Sequence, residues 1–154
     1  DERVAWHFVI YPQPFGLQGE YTIGRGPELN QAMTEVVTGS LRGGYLQLFY
    51  NYKCDTYCQS VFPFVRVQEY FGGKKHEDNA PRNSVRELEL GLEYQFNPAV
   101  ELTVMYTFTS RTSADSSFNP AACTDPLAHN VSCLQTPYQR NSGNLLRFQL
   151  QWSF

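Results

Sequence analysis

From position 85 onwards the chain alternates apolar and polar side chains with a period of two. Over 85–96, Leu88, Leu90, Leu92, Tyr94 and Phe96 take one set of alternate positions, and Glu87, Glu89, Gly91, Glu93 and Gln95 take the other. The stretch 100–112 repeats this, with Val100, Leu102, Val104, Tyr106 and Phe108 against Glu101, Thr103, Met105, Thr107, Thr109 and Arg111. The stretch 145–154 sets Leu146, Phe148, Leu150, Trp152 and Phe154 against Arg147, Gln149, Gln151 and Ser153. Successive side chains of a β-strand point to opposite faces, so each stretch predicts a strand with one apolar and one polar face. Stretches 3–11, 15–24, 41–53 and 61–71 read the same way with more exceptions. In the last of them Glu69 falls on the apolar side, which a bulge near a rim or a position at headgroup level would explain.

Seven stretches of about ten residues match the length a tilted strand needs to cross a hydrocarbon core. Their connections alternate in length: 12–14, 54–60 and 97–99 are short, whereas 25–40, 72–84 and 113–144 are long and polar. Short turns at one end and long loops at the other are the habit of transmembrane barrels. A water-soluble antiparallel sheet produces the same alternation, with its apolar side towards a core. The distinguishing feature is the gathering of Tyr52, Tyr94, Phe96, Trp152 and Phe154 at the short-turn ends of the apolar faces, where an interfacial girdle would stand. The predicted fold class is therefore all-β, an antiparallel transmembrane barrel of the outer-membrane type.

Composition agrees. The 154 residues, room for a single domain over 1–154, are 15% aromatic, with ten Tyr and eleven Phe, and 18% charged. No apolar run approaches the roughly 20 residues of a spanning helix, and no signal-like segment opens the chain. A mean hydropathy of -0.43 is uninformative, because barrel strands hide half of their apolar positions from any sliding average. The net charge of -3 gives no reason to expect a nucleic-acid partner.

Cys54 and Cys58 share one connection, and Cys123 and Cys133 share another. Four cysteines allow three connectivities. Local pairing within each connection is expected, because exposed cysteine pairs of an exported protein oxidise. His7, His76 and His129 do not sit at ligand spacing from either pair, so neither a metal nor a cofactor is expected.

With the polar faces turned to a water-filled lumen, Arg3, Glu20, Arg66, Gln68, Glu87, Glu89, Glu93, Glu101, Arg111, Arg147 and Gln149 become candidate pore-lining residues. Opposed rows of Arg and Glu set a transverse field that orients solutes, or else simply pair across strands and keep the wall wet. No nucleophile and histidine base fall together, so no enzyme is expected. The Asn130-Val131-Ser132 sequon is incidental in a bacterial surface loop, and Lys74 and Lys75 lie where they would meet lipopolysaccharide phosphates or solvent.

Phe154, with Leu146, Phe148, Leu150 and Trp152 at alternate positions before it, resembles the C-terminal signal read by outer-membrane assembly machinery. The segments GEYTIGRGPELN (19–30), FVRVQEYFGGKKHEDNA (64–80), VRELELGLEYQFNPAVELTVMYTFTSRT (85–112) and GNLLRFQLQWSF (143–154) resemble the C-terminal half of the phosphate-selective porin O and P family. That resemblance implies a barrel of about sixteen strands, generally a homotrimer, in the outer membrane of a Gram-negative bacterium, passing small and in some members anionic solutes passively. Segment 113–144 is longer than such members carry, and their N-terminal half has no counterpart here. With Phe154 at the periplasmic rim, residue 1 falls on the cell surface, and seven strands are an odd number. The remaining strands are expected from an N-terminal part of the same porin, as a separate chain or a missing segment. A small structural or adhesin-like barrel without pore activity is the competing reading.

Overall fold

The computed structural model describes residues 2–30, 35–54, 56–74, 80–114 and 138–153. Its strands are β1 (Glu2–Ile10), β2 (Phe15–Leu29), β3 (Val36–Tyr50), β4 (Tyr52–Lys53), β5 (Ser60–Gly73), β6 (Arg82–Asn97), β7 (Val100–Ala114) and β8 (Tyr138–Trp152). All join one antiparallel sheet in chain order, with β4 pairing β5 in the lane of β3. The predicted third strand is thus one lane in two pieces. It is interrupted at Asn51, whose N–H donates instead to the Pro14 carbonyl at 2.8 Å.

Cross-strand partners lie on the same face, so rows of side chains can be followed across the sheet. One row runs Ile10, Leu17, Leu48, Val65, Leu90, Tyr106, Leu146. Its neighbour on the other face runs Val9, Gln18, Gln47, Arg66, Glu89, Thr107, Leu145. The two-faced character predicted from 85–154 therefore holds across the inner lanes, while the polar row ends on Val9 and Leu145 in the two edge lanes.

Among the described residues no second layer covers this sheet. Among the described residues the buried apolar side chains are only Leu29, Leu41, Ala80 and Met105, while Leu90 is 45% and Leu150 69% exposed. A water-soluble domain buries the apolar face of its sheet against another layer, gaining roughly 25 cal/mol per Å² covered. Here the whole band from Phe8 to Trp152 stands open, which is the surface a hydrocarbon solvent covers. No helix among the described residues is long and apolar enough to cross a membrane.

The strands run past the predicted ends. β2, β3, β7 and β8 have 15 residues each and β6 has 16, whereas about 9–11 tilted residues span the hydrocarbon core. The excess lies at the end of the long connections. Positions 25–29 and 36–40, expected as loop, continue the β2–β3 ladder up to Leu29 opposite Val36. The connection predicted over 25–40 is thereby corrected to a six-residue tip, no longer than the one after Lys53. Segments 72–84 and 113–144 shorten too, to the residues between Gly73 and Arg82 and between Ala114 and Tyr138.

Glu69 needs no bulge. The β5–β6 ladder is continuous through it, and the register shift falls instead between Gln95 and Asn97, beside the last short turn. Glu69 lies opposite Gly44 and Arg86, in a row that also contains Tyr21 and Ser110. That row closes the apolar band, so the headgroup-level explanation fits.

Above the Arg42–Phe71 pair, β3 leaves β5 and the β2–β3 hairpin folds across towards the β5–β6 connection. The Leu29 N–H donates to the Ala80 carbonyl at 2.9 Å, and the buried Glu28 carboxylate accepts from Arg82 Nε. Burial raises the Tyr138 phenol above its usual pKa, with Glu28 adding to the shift and Arg82 opposing it. The crossing works because Gly73 has no side chain: a Cβ there would stand 2.2 Å from the Pro27 carbonyl oxygen. Gly72, at φ 147°, adopts a backbone conformation other residues avoid. Gly73→Ala is accordingly expected to destabilise by about 1–3 kcal/mol, by levering the hairpin away. Faster protease cleavage between β2 and β3, with the lower sheet intact, is the readout.

Candidate functional site: the polar face

Register places every predicted pore-lining residue on one face. Glu20 lies between His7 and Tyr45, Arg3 opposite Gly24, Arg111 between Val85 and Asn141, Arg147 opposite Met105, and Gln149 opposite Thr103. The same face is joined from β2 to β7 by side-chain hydrogen bonds. Gln18 Nε2 donates to Gln47 Oε1 at 3.2 Å, Arg66 Nε donates to the same oxygen at 2.8 Å, and Arg66 Nη1 pairs with Glu89 Oε2 at 3.1 Å. Glu89 also accepts from Thr107 Oγ1 at 3.3 Å.

Glu89 is 4% exposed although no layer among the described residues covers its face. Its neighbours screen it. The Arg66 guanidinium stands 5.5 Å from the centre of Tyr45 and 5.8 Å from that of Phe64, which steadies it with Nη1 towards Glu89 and Nε towards Gln47. One row up, Gln68 Nε2 and Thr109 Oγ1 (2.8 Å) both donate to Glu87. Two rows the other way, Gln95 bridges Ser60 (2.6 Å) and Glu93 (3.2 Å), while Thr103 Oγ1 donates to Glu101 at 3.3 Å.

The predicted set thus separates. Arg66, Gln68, Glu87, Glu89, Glu93 and Glu101 enter local networks, whereas Arg111 and Arg147 take no part in them among the described residues. The partners Gln18, Gln47, Thr107 and Thr109 were not singled out from the sequence, because a neutral polar residue on a polar face carries no signal of its own. Nor were Phe49 and Phe64, aromatic residues on the polar face. Their rings lie on glycines: a Cβ on Gly16 would meet the Phe49 ring at 2.5 Å, and one on Gly91 the Phe64 ring at 2.1 Å. The signal was present as a glycine in each polar register, legible once strand pairing is known.

At the short-turn end the expected girdle assembles. Tyr94 and Phe96 meet edge to face at 4.6 Å between ring centres, Phe15 and Tyr50 at 5.0 Å, and Trp152 is 72% exposed on the same face. Leu146, Phe148, Leu150 and Trp152 all lie on the apolar side, opposite Tyr106, Val104, Leu102 and Val100; Phe154 falls outside the described residues. Cys54 and Cys58 form a disulfide with Cα atoms 5.4 Å apart, as predicted, while the Cys123–Cys133 pairing lies outside the described residues. Peptide mapping is expected to show Cys54 and Cys58 resistant to alkylation until a reductant is added. Labelling of either without reductant contradicts the bridge.

The profile of phosphate-selective porin O and P matches residues 1–152 of the chain. No curated protein matches it. No solved structure does either.

Proposed function

The chain belongs to the phosphate-selective porin O and P family, and from that premise we propose that it forms one wall of a passive diffusion channel in the outer membrane of a Gram-negative bacterium. The observation that carries this reading is the two-faced sheet, uncovered among the described residues: an open apolar band on one side, and on the other a charged wall in which Arg66, Glu87, Glu89, Glu93 and Glu101 are already hydrogen-bonded to neighbours. Such a wall stays ordered while wetted. Lipid on the first face and water on the second satisfy both.

The wall carries Arg3, Arg66, Arg111 and Arg147 against Glu20, Glu87, Glu89, Glu93 and Glu101. With Arg66 committed to Glu89, it offers no cationic excess, so it suits small solutes in general. Any preference for anions would come from other parts of the lumen. Opposed charges on one wall orient dipolar solutes as they pass.

A barrel also has to close. Each of β1 and β8 has one pairing neighbour among the described residues, leaving two open edges. In hydrocarbon an unsatisfied backbone group costs several kcal/mol, so both edges require further strands of the same porin, and the closed barrels then associate as the homotrimers usual in the family. Planar-bilayer recording on the assembly extracted from membranes tests the proposal. Stepwise, voltage-proportional conductance is the expected result. A correctly inserted assembly without conductance would refute the channel and favour a structural or adhesin-like barrel.

A further inference from the structure

Charges on the outward, apolar face are confined to one end. Register places Arg25, Arg42, Arg86 and Arg140 on the face of Leu88, Leu90, Tyr106 and Phe108, and all four lie beyond the apolar band on the side of the longer connections. Glu2 and Glu69 are the acids of that face, and Arg82, committed to Glu28, shares it too. At the opposite end the outward face closes on Phe15, Tyr52, Phe96 and Trp152, with no charged side chain among the described residues. One interface is aromatic, the other rich in arginine, and a membrane with two like leaflets gives no reason for that difference.

The four arginines are exposed, and Arg25, Arg42 and Arg86 form no ion pair with another described residue. Glu69 sits across from Arg86 but accepts a hydrogen bond from the Tyr21 hydroxyl, at 3.5 Å. Arg140 Nε donates to Ser110 at 3.1 Å, which leaves its terminal nitrogens to point elsewhere. Arg42 is steadied with its guanidinium carbon 5.6 Å from the centre of Phe71, a ring it shares with Arg82 at 5.3 Å. Directly below Arg42 along the strand, an outward groove of ≈ 280 Å³ has Gly44 at its base, with Trp6, Phe8, Tyr21, Leu46 and Val67 among its walls. Its lining is mainly apolar, with Glu69 at the edge nearest the arginines, and it is continuous with the hydrocarbon band.

We infer that this outward arginine row and the groove beneath it bind an anionic glycolipid of the outer leaflet, phosphates on the arginines and an acyl chain over Gly44. Guanidinium forks match phosphate oxygens two at a time, and a fixed row of them favours a headgroup with several phosphates over scattered monoanions. The inference rests on the reading of the apolar face as lipid-facing. The plainer alternative is that the arginines merely reach up into water.

The test uses the native assembly, stripped of lipid in detergent, titrated with purified lipopolysaccharide and followed by native mass spectrometry. At roughly fivefold per arginine near a charged headgroup, Arg42→Gln/Arg86→Gln/Arg140→Gln is expected to bind on the order of 100-fold more weakly. The corresponding Lys variant should fall between, and conductance should be unchanged in both. Dephosphorylated lipopolysaccharide should bind the unsubstituted protein as weakly, an arm that does not depend on any variant folding. Excess inorganic phosphate should not displace the lipid, since it cannot fill the groove. Equal binding of the dephosphorylated lipid or by the Gln variant would overturn the inference, as would dissociation of the oligomer in that variant with lipid binding intact. Lipid binding without conductance in the unsubstituted protein would support this inference while removing the channel.

Discussion

Replacing Leu90 with arginine is expected to cost on the order of 2–4 kcal/mol, the penalty for a cation on the lipid face of a barrel near the midplane. Leu90 lies at the centre of the band, with Val65 and Tyr106 beside it across the ladders and Leu88 and Leu92 above and below. From there an arginine reaches neither interface without distorting the bilayer. Glu89→Gln, one residue away but on the opposite face, introduces no charge into lipid and is expected to act only by weakening the contact with Arg66. Urea titration of the protein folded in lipid vesicles measures both. A Leu90→Arg variant as stable as the parent would mean that this face does not meet lipid.

Arg66→Met is the second substitution with a large expected effect, roughly 2–3 kcal/mol. Glu89 would keep only the Thr107 hydroxyl, and a screened carboxylate deprived of its cation costs far more than the pair itself contributes. The magnitude is held below that of a dry interior because the Arg66 side chain is 30% exposed. The expected signature is a rescue: Arg66→Met/Glu89→Gln, which removes the stranded charge, recovers more than half of the loss. A double variant no more stable than the single one contradicts the account of Glu89 as held in place by Arg66.

What the sequence disclosed, and where it fell silent, follows from the solvent each strand meets. Over β6, β7 and β8 lipid and water impose opposite demands on successive residues, so the period of two marks both faces. Beyond the hydrocarbon band that contrast vanishes. Outward positions become Arg25, Ser40 and Arg42, the alternation fades, and the ladder continues unannounced, which is why 25–29 and 36–40 read as loop. Pairs distant in sequence left no local trace either: Glu28 and Arg82 are 54 residues apart. The hydrogen-bonded neutral residues Gln47 and Thr107 gain their role from register alone. Glu69, the exception in the sequence pattern, marks the edge of the band.

The central claim is that alternate residues of one strand face lipid and water, and spin labels placed singly at 87–90, 92 and 93 test it most directly in the protein reconstituted into vesicles. Collision with oxygen, which partitions into hydrocarbon, and with a water-soluble nickel chelate is measured at each site. Labels at Leu88, Leu90 and Leu92 are expected to collide with oxygen and those at Glu87, Glu89 and Glu93 with nickel, dividing strictly between even and odd positions. Equal nickel access at all six positions, or oxygen preference on the glutamate side, would contradict the account.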